Sequence, residues 1–447
     1  MKAGKCVKVF LAVFICKLLY FAGKRVGKGS SLPGKVVLKL FPDVLGRIRL
    51  PETIIAVTGS NGKTTTTELI VQALKGSGRT VGWNHEGSNQ TEGIATLLLR
   101  IASLRGKIKR DAIVMECDER YARKIFEKVK PSILLVTNLC RDQLTRNGHP
   151  EFIQDCICAS IEVIGDKTRL VMNSDDPYVA ALALTPEAKD VLWYGVSPKG
   201  CEPPKAGIYD DGAFCPACKE RMTYEYRITG HYGSYNCAAC GLRRSNPKVE
   251  AAMQTGGSIS FGDGPEMSIK IPGITGTYNF CAAIATAEAA GVSISDSVKA
   301  LDGYELTSGR VIGFSTEKRE GLLLLSKHEN SFAYDCSLSW IIEQKKPCTV
   351  IVLVDAISRK YYTSETSWLW DINFDLLSDM NVKSVVLSGR YVNELAARFA
   401  LSAVDKAKIA CVTDLSNLRD YVERKTAHDI YAVTCFADKV KLLKALK

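Results

Sequence analysis

The chain has 447 residues, of which 46% are hydrophobic and 24% are charged, a balance typical of globular rather than disordered or fibrous proteins. This length exceeds what one ordinary core can organise and predicts two or three domains. The net charge is +11, and residues 1–50 hold eleven Lys or Arg but a single acid, Asp43, which is a local charge of +10. Because the rest is close to neutral, the charge argues against a protein that binds nucleic acid along its whole surface.

The opening segment combines this basic charge with apolar residues. An apolar run at residues 9–16 is interrupted by Lys17 and resumes at residues 18–22. The run is shorter than the stretch of about 20 apolar residues that spans a bilayer. Lysines before an apolar stretch also fit a signal peptide, but no small-residue cleavage site follows. We expect an amphipathic helix that lies on the protein or on a membrane surface.

The sixteen cysteines bear on the compartment. Several stand alone within apolar stretches, as Cys140, Cys281 and Cys411 do, and such cysteines are usually small core residues. A secreted protein of this size would rarely leave so many unpaired. We therefore expect a cytoplasmic protein, with contact at the inner face of the membrane as the possibility that the opening segment raises.

Residues 58–66 (TGSNGKTTT) have the composition of a phosphate-binding loop. They follow an apolar run at residues 54–57, read as a strand, and precede helical spacing at residues 68–74. Glycines in such a loop let backbone N–H groups approach a phosphate, a lysine reaches the terminal phosphates, and a threonine hydroxyl can bind Mg²⁺. An ordinary turn is the alternative. The predicted ATP-binding residues of the loop are Thr58, Gly59, Asn61, Gly62, Lys63, Thr64 and Thr65.

Further strand ends in this half carry polar side chains. A predicted strand at residues 112–115 leads into Glu116, the candidate second Mg²⁺ ligand, for which a solvated acidic turn is the alternative. Strands at residues 133–136 and 170–172 lead into Thr137 and Asn138 and into the segment 173–177. In an α/β sheet, ligands bind at the carboxyl ends of the strands. These residues therefore extend the predicted nucleotide site.

Four cysteines within residues 201–248, called the ribbon insertion below, form two C-x2-C pairs separated by eighteen residues. Two such knuckles provide tetrahedral thiolate coordination for Zn²⁺, and four protein ligands leave no open position, so the metal should be structural. Tyrosine-rich sequence between the pairs suits a hairpin. Two disulfides or free thiols are the alternative. The predicted zinc ligands are Cys215, Cys218, Cys237 and Cys240.

The C-terminal half reads as a second α/β unit. Strands are predicted at residues 322–325, 349–354, 384–387, 408–412 and 430–433, with helical stretches between them. This alternation predicts a doubly wound, Rossmann-like parallel sheet.

These residues together resemble the Mur ligase family over about residues 50–312. The resemblance rests on the phosphate loop, Glu116, Thr137 and Asn138, the segment 173–177, and Tyr278 and Asn279 opening an Ala-rich helix. It implies an α/β fold with a central P-loop ATPase domain, ATP and Mg²⁺ as cofactors, and activation of a carboxylate as an acyl phosphate. On the same resemblance, Asn279 and Arg310 join the predicted ATP-binding set.

A narrower resemblance is to the MurT family of ligase-like subunits. It rests on residues 84–89 (NHEGSN), residues 141–143 (RDQ), the ribbon insertion, and segments 367–375 and 388–390. It implies three parts: a basic segment at 1–50, a central domain at 51–315 and a MurT-type domain at 316–447. It also implies a GatD-like class I glutaminase partner in a heterodimer and amidation of D-glutamate in lipid II. The chain has no Gly-x-Cys-x-Gly elbow of its own.

The C-terminal half departs from the MurT pattern. Where that family has Lys-Asn-Pro-Ala-Gly, this chain has residues 327–331 (KHENS), and only Lys327 is kept. In that family, an Asp is thought to complete a Cys-His-Asp triad with the partner, and Glu365 stands at its position here. We assign both Glu365 and Lys63 as catalytic residues. The alternative for Glu365 is an acid at the start of a helix. The departures leave two other functions open: a free-standing Mur-type amino-acid ligase and a non-catalytic ATP-binding paralogue.

Overall fold

The structure is a computed structural model that describes residues 2–25, 29–199, 210–254, 257–262, 264–270, 273–307, 310–356 and 365–446. Two helices open the chain, α1 (Lys2–Arg25) and α2 (Leu32–Leu40). Both pack against one helix of the central part, Thr91–Ile101, through a core cluster that includes Val13, Cys16 and Val37. In the described part of the chain, the helices are all too short or too polar to span a bilayer.

The expected amphipathic character of the opening helix is wrong in one respect. One side of α1 is buried, with Ala12, Val13 and Cys16 fully inaccessible, but the opposite side is also apolar and exposed, as at Phe14 and Phe21. The buried side explains why the segment is ordered, because it completes the core between α2 and the central part.

The central part alternates strands and helices, as the sequence predicted. In chain order its elements are β1 (Thr53–Thr58), α3 (Lys63–Gly76), β2 (Val81–Trp83), α4 (Thr91–Ile101), β3 (Ala112–Glu116), α5 (Ala122–Phe126), β4 (Ile133–Val136), α6 (Leu144–Asn147), α7 (Pro150–Ile164), β5 (Arg169–Asn173), α8 (Pro177–Leu182), β6 (Val191–Val196), β7 (Thr223–Thr229), β8 (Tyr232–Asn236), β9 (Val249–Met253), β10 (Ser258–Phe261), β11 (Met267–Ser268), α9 (Gly273–Ala289) and α10 (Ile294–Leu301).

Nine of these strands form one sheet in the order β11-β10-β9-β6-β5-β4-β1-β3-β2. The strands from β2 to β9 along this order pair in parallel, and β10 and β11 add an antiparallel edge. Helices cover both faces, so the inner strands are apolar along their whole length, as parallel sheets require. Strands β7 and β8 form a separate hairpin between β6 and β9, and this hairpin belongs to the ribbon insertion.

The C-terminal part forms a second sheet. Its elements are β12 (Val311–Ser315), β13 (Glu320–Ser326), α11 (Ser331–Glu343), β14 (Cys348–Leu353), β15 (Val382–Ser388), α12 (Val392–Ala400), β16 (Ile409–Val412), α13 (Leu418–Lys425), β17 (Asp429–Cys435) and α14 (Lys439–Leu446), with short 3₁₀ turns at Ser367–Asp371 and Phe374–Ser378. The strand order is β12-β13-β17-β14-β15-β16. Helices α11 and α12 cover one face, and α13 and α14 cover the other.

The α/β fold and the strands expected from the sequence are confirmed, with strand limits moved by at most two residues. One feature differs: the second sheet is not wholly parallel, because β12 runs antiparallel to β13. Strand β12 was not predicted, because four of its five residues are half-buried or exposed and it lacks a continuous apolar run. The domain limits at residues 50 and 315 stay predictions, and residues 200–209 at the start of the ribbon insertion, with Cys201, lie outside the described residues.

Candidate active site and metal centre

The phosphate loop lies between β1 and α3 and is braced by neighbouring strand ends. Gly59 and Gly62 have φ angles of +121° and +79°, which favour glycine. A β-carbon at Gly59 would lie 2.3 Å from Thr137 Oγ1, and one at Gly62 would lie 2.2 Å from Asn279 Oδ1. The backbone N–H of Asn61 donates to Asn138 Oδ1 at 2.8 Å. The loop therefore has the turn geometry and close packing that let backbone N–H groups face a bound anion.

Lys63 is the first residue of α3 and is buried beside acidic groups. Its Nζ lies 3.0 Å from Glu119 Oε2 and also donates to the Gly59 carbonyl of its own loop. Burial lowers the pKa of Lys63, but the nearby Glu119, Asp142 and Glu116 more than offset this and raise it above its usual range. The ammonium is therefore charged at neutral pH, which is the form that binds phosphate.

Glu116, at the carboxyl end of β3, is buried and held by two asparagines from the segment 84–89. Asn89 Nδ2 donates to Glu116 Oε1 at 3.0 Å, and Asn84 bonds both the backbone N–H and the carbonyl of Glu116. The alternative of a solvated acidic turn is wrong, because only 5% of Glu116 is exposed. A carboxylate here and the Thr64 hydroxyl at the start of α3 are oxygen donors of the kind Mg²⁺ prefers. The donor set fits that ion.

Two side chains of the C-terminal part reach the phosphate loop. Lys327 Nζ donates to the Ser60 carbonyl at 2.7 Å and lies 3.1 Å from Asp142 Oδ2. Asn330 Nδ2 donates to Asn61 Oδ1 and to Asp142 Oδ1, both at 2.7 Å. Asn330 is fully buried and also caps α11, its Oδ1 accepting from the Ala333 N–H. These contacts join the two sheets directly over the loop.

A cavity of about 420 Å³ opens beside the loop between the two sheets. Its wall includes polar side chains such as Asn61, Thr65 and Asn279 and apolar side chains such as Leu324 and Trp340. Such a mixed lining suits a ligand that has both an apolar, flat group and an anionic group.

Arg310 also lines the cavity, and its guanidinium lies 5.1 Å from the centre of the Phe436 ring. Burial lowers the pKa of Arg310, and Glu116 and Asp142 offset this only in part. An arginine remains charged under these conditions, since its ordinary pKa is above about 12. Arg310 therefore gives the site a further cation, in addition to Lys63.

The four cysteines of the ribbon insertion come together. Their sulfur atoms all lie within 4.8 Å of one another, with 3.6 Å between Cys215 and Cys240 and 3.4 Å between Cys218 and Cys237. Tetrahedral zinc with Zn–S bonds of about 2.3 Å separates its sulfurs by about 3.8 Å, so the cluster fits that ion with little movement.

The turn of the β7–β8 hairpin docks between the two sheets. His231, in that turn, is buried with its Nε2 3.4 Å from Asp176 Oδ1. Tyr232 packs against Phe332 at the start of α11, with ring centroids 5.4 Å apart, and against Tyr278 of α9 at 5.2 Å. The hairpin therefore contacts both the central part and the C-terminal part.

Charged side chains reinforce this junction. Arg141 lies 3.0 Å from Asp211, at the start of the described ribbon, and 3.6 Å from Asp371 of the C-terminal part. Arg244 of the ribbon lies 2.6 Å from the buried carboxylate of Asp175, which also accepts a hydrogen bond from the Tyr278 hydroxyl. Although these partners lower the pKa of Asp175, its burial prevails and raises it. Arg141 and Asp175 both lie in segments that the sequence had marked as polar strand ends.

Glu365 is placed differently from the other candidates. Its side chain is exposed, and Oε1 accepts a hydrogen bond from the Ser367 N–H at 2.7 Å. Hydrogen bonds from the Ser367 side chain and from this N–H lower the pKa of the carboxyl group. It is absent from the residues that line the cavity. A charged carboxylate on the surface is available to a partner protein, and it also acts as the helix-start acid that the alternative reading predicted.

The structure thus brings most of the sequence-predicted residues to one place. Asn61, Gly62, Thr65, Asn279 and Arg310 line the cavity, and Glu116 is close enough to Lys63 and Arg310 for its carboxylate to favour the charged form of both. The cysteine cluster and Glu365 are not among the lining residues. Sequence reasoning missed Asn330, because the segment around it departs from the expected pattern. Its place four residues after the end of a buried strand was the available signal.

Comparison with protein families gives two matches along the chain. Residues 57–242 match the Mur ligase middle domain, and residues 327–437 match the MurT ligase C-terminal domain. Among curated relatives, the lipid II isoglutaminyl synthase (glutamine-hydrolyzing) subunit MurT of Streptococcus pneumoniae is 28% identical, with 98% of this chain and 97% of that one covered. The protein of that name from Staphylococcus aureus is 27% identical, with 89% of each chain covered.

The fold has solved counterparts. A pseudomurein peptide ligase type C from Methanothermus fervidus superposes with a TM-score of 0.70 at 20% sequence identity, covering 92% of this chain and 84% of that one. At this identity the likeness concerns the fold alone. The two family matches lie on either side of the cavity. The chain is therefore similar to Mur ligases in its central part and to MurT subunits along almost its whole length.

Proposed function

We propose that this chain is the ATP-dependent ligase subunit of a two-protein amidotransferase that converts the D-glutamate of lipid II to D-isoglutamine. The observation that carries the proposal is the position of Lys327 and Asn330, from the MurT-type part, on the phosphate loop of the Mur ligase part. Relatives named as MurT subunits match the chain almost end to end, which supports the same substrate. The nitrogen would come as ammonia from a GatD-like glutaminase partner.

The reaction needs two steps at one site. The α-carboxylate of D-glutamate attacks the γ-phosphate of ATP, which gives an acyl phosphate and ADP. Ammonia then attacks the carbonyl carbon, the C–O bond to phosphate breaks, and the amide and inorganic phosphate leave. The adenine would contact apolar side chains of the cavity wall, and the phosphates would lie near Asn61, Gly62 and Thr65 of the loop, which also line the cavity.

The residues of the loop would stabilise charge on the transferring phosphate. Lys63, with its raised pKa, and Arg310 supply cations, and the N–H groups at the start of α3 supply a partial positive charge. To reach the phosphate, Lys63 must leave the Gly59 carbonyl, while Glu119 can keep its hold on the ammonium. Lys327 adds a third cation when the two parts are closed on the loop.

Glu116 and Thr64 would hold the Mg²⁺ ion. The ion would neutralise phosphate charge and orient the terminal phosphate for in-line attack. Asn84 fixes the Glu116 backbone and Asn89 bonds its carboxylate, so the orientation of the carboxylate does not depend on the ligand. These two asparagines are therefore positioning residues in the proposal.

The ribbon insertion would hold one structural Zn²⁺ through its four cysteines, with no part in the chemistry. Four thiolates complete a tetrahedral shell and leave no position for water. The ion would instead fix the β7–β8 hairpin, whose turn packs on both parts of the protein.

The decisive experiment measures ATP-dependent amidation of lipid II by the purified chain, with and without a candidate glutaminase, from glutamine and from ammonia. We expect product from ammonia with the chain alone and product from glutamine only with the partner. Addition of an amino acid in place of ammonia would establish the free-standing ligase, and ATP binding without product from either nitrogen source would establish the non-catalytic paralogue.

Glu365 is proposed to supply the carboxylate of a triad whose cysteine and histidine lie on the partner. Glu365→Gln should depress glutamine-driven amidation, because the partner's histidine loses its orienting anion, and free ammonia should restore the product. The matched control is Glu394→Gln, an exposed acid in the first turn of α12. Equal loss with both nitrogen sources would place Glu365 at the ligase site instead, and no loss with either would leave it as a helix-start acid.

A further inference from the structure

Helix α1 is apolar on the side that faces away from the protein. Its inner side packs into the core through Val9, Ala12, Val13 and Cys16. The large apolar residues on its outer side are between 40% and 66% exposed, and they are Val7, Phe10, Leu11, Phe14, Leu18 and Phe21. A helix that merely rests on its own protein has a polar outer side, so the core does not explain this one.

The outer residues form a single stripe along the helix axis. At 3.6 residues per turn, all six fall within an arc of about 100°, opposite the buried side. Lys8 lies beyond one margin of this arc, and Lys17 and Lys24 lie beyond the other. An apolar stripe with lysines at both margins is the arrangement of a helix lying in a membrane interface, where lysine stems run along the apolar surface and their ammonium groups reach the headgroups.

The positive charge of the surrounding segment indicates what binds the outer side of α1. Residues 1–50 carry +10, and in the adjoining α2 the side chains of Lys35 and Lys39 are also exposed. A second copy of this chain would bring an equal positive charge against the stripe, which opposes pairing. An anionic lipid surface attracts such a segment, by about 1 kcal/mol for each basic residue close to it.

Helix α1 is also tied to the segment that holds Glu116. The Tyr20 hydroxyl donates to Glu86 at 2.5 Å and accepts from Arg100 at 3.1 Å. Glu86 lies between Asn84 and Asn89, the two residues that bond Glu116. The side of the active site formed by this segment is therefore next to the helix.

We propose that the outer stripe of α1 inserts into the interface of an anionic bilayer and holds the Glu116 side of the active site close to the lipid surface. The proposal deepens the proposed function, since it rests on that function for a lipid-linked substrate, but the membrane contact itself rests on α1 alone. The helix would lie along the surface, with its inner side still packed on the protein.

The test is co-sedimentation of the full chain with vesicles of equimolar phosphatidylglycerol and phosphatidylcholine, beside vesicles of phosphatidylcholine only. The test variants are Phe14→Glu and Leu18→Glu, at exposed positions where folding does not depend on the side chain. The matched control is Leu401→Glu, which replaces a 73% exposed leucine in the C-terminal part. We expect each test variant to lower the partition coefficient by about tenfold or more, and the control to leave it unchanged.

Wild-type binding should weaken steeply as salt is raised and on the neutral vesicles, because part of the attraction is electrostatic. Equal binding by wild type and by Phe14→Glu, or no binding by wild type, would overturn the proposal. The proposal would also be overturned if light scattering showed a wild-type dimer that Phe14→Glu abolishes, or if a glutaminase bound the wild type but not Phe14→Glu. Amidation of a precursor without its lipid tail should be the same in all four proteins, which separates failure of the membrane contact from failure of the proposed function.

Discussion

Replacement of Asn330 by alanine tests whether contact between the two sheets controls the nucleotide site. Asn330 Nδ2 donates one hydrogen bond to the neutral Asn61 side chain and one to the Asp142 carboxylate, and Asn330 Oδ1 accepts a longer one, at 3.4 Å, from Asn61 Nδ2. All three cross from the C-terminal part to the central part, and the two short ones set the energy. A bond between neutral groups contributes about 1 kcal/mol, and one to a charged group about 1.5–3 kcal/mol. Their loss should destabilise the closed arrangement by about 2.5–4 kcal/mol.

A destabilisation of about 2.5 kcal/mol lowers the ratio of closed to open protein by about 70-fold. If the reaction requires the closed arrangement, kcat/KM for ATP should fall by about tenfold to 100-fold, the larger value applying when the open form predominates. The measurement is the rate of amidation as the ATP concentration is varied, with the affinity for ATP determined separately by calorimetry. Far-ultraviolet circular dichroism should show an intact fold.

Asn330 also caps α11, and that role must be separated from the contact between the sheets. Asn330→Asp keeps an oxygen that can accept from Ala333, but it places a second carboxylate beside Asp142, so it should lose activity while keeping the cap. Ser293→Ala, which removes the cap of α10, is the matched control for capping alone and should keep its activity. Wild-type kcat/KM in folded Asn330→Asp would refute the reasoning.

Three further outcomes are expected. Lys63→Ala should lower ATP-dependent turnover by about 100-fold or more with the fold intact, since the ammonium stabilises phosphate charge in the transition state; undiminished turnover would contradict the assignment. Protein purified without chelator should contain about one Zn²⁺ per chain by elemental analysis, and Cys215→Ser should lose it, whereas Cys411→Ser, at an exposed cysteine elsewhere, should retain it. Burial raises the pKa of Asp335 to about 7, so the folded state holds a proton that the unfolded state releases near pH 4. The free energy of unfolding should therefore fall by roughly 1–4 kcal/mol as the pH rises from about 4 to 7. Asp335→Asn should abolish this dependence on pH, and an unchanged dependence would show that another group causes it.

The α/β class and nine of the strands could be predicted from the sequence, because most of these strands are buried on both faces. Such strands read as uninterrupted apolar runs, which is why β1, β4 and β14 were found within one residue. The edge strand β12 escaped because one of its sides is accessible, and its sequence has no run of that kind. The convergence of the four cysteines was predicted from their spacing, since two C-x2-C pairs are typical of one metal site; the zinc ion itself stays a prediction.

The contacts between the two halves could not be predicted. They join residues far apart in the chain, such as Asn330 and Asn61, and no local pattern encodes which strand ends will meet. The resemblance directed attention to what was missing from residues 327–331 rather than to Asn330, which the segment does contain. Helix α1 was misjudged for a related reason, because a helix with two apolar sides has no clear polar face in its sequence.

The docking of the ribbon has a consequence for how such sequences diverge. The hairpin turn packs on Phe332, and Arg141 joins Asp211 of the insertion to Asp371 of the C-terminal part. A lineage that lost the four cysteines would expose Phe332 and leave Arg141 with one partner fewer. Residues 141, 332 and 371 should therefore vary together with the four cysteines. Among related chains, the presence of the four-cysteine motif should predict which residues stand at these three positions.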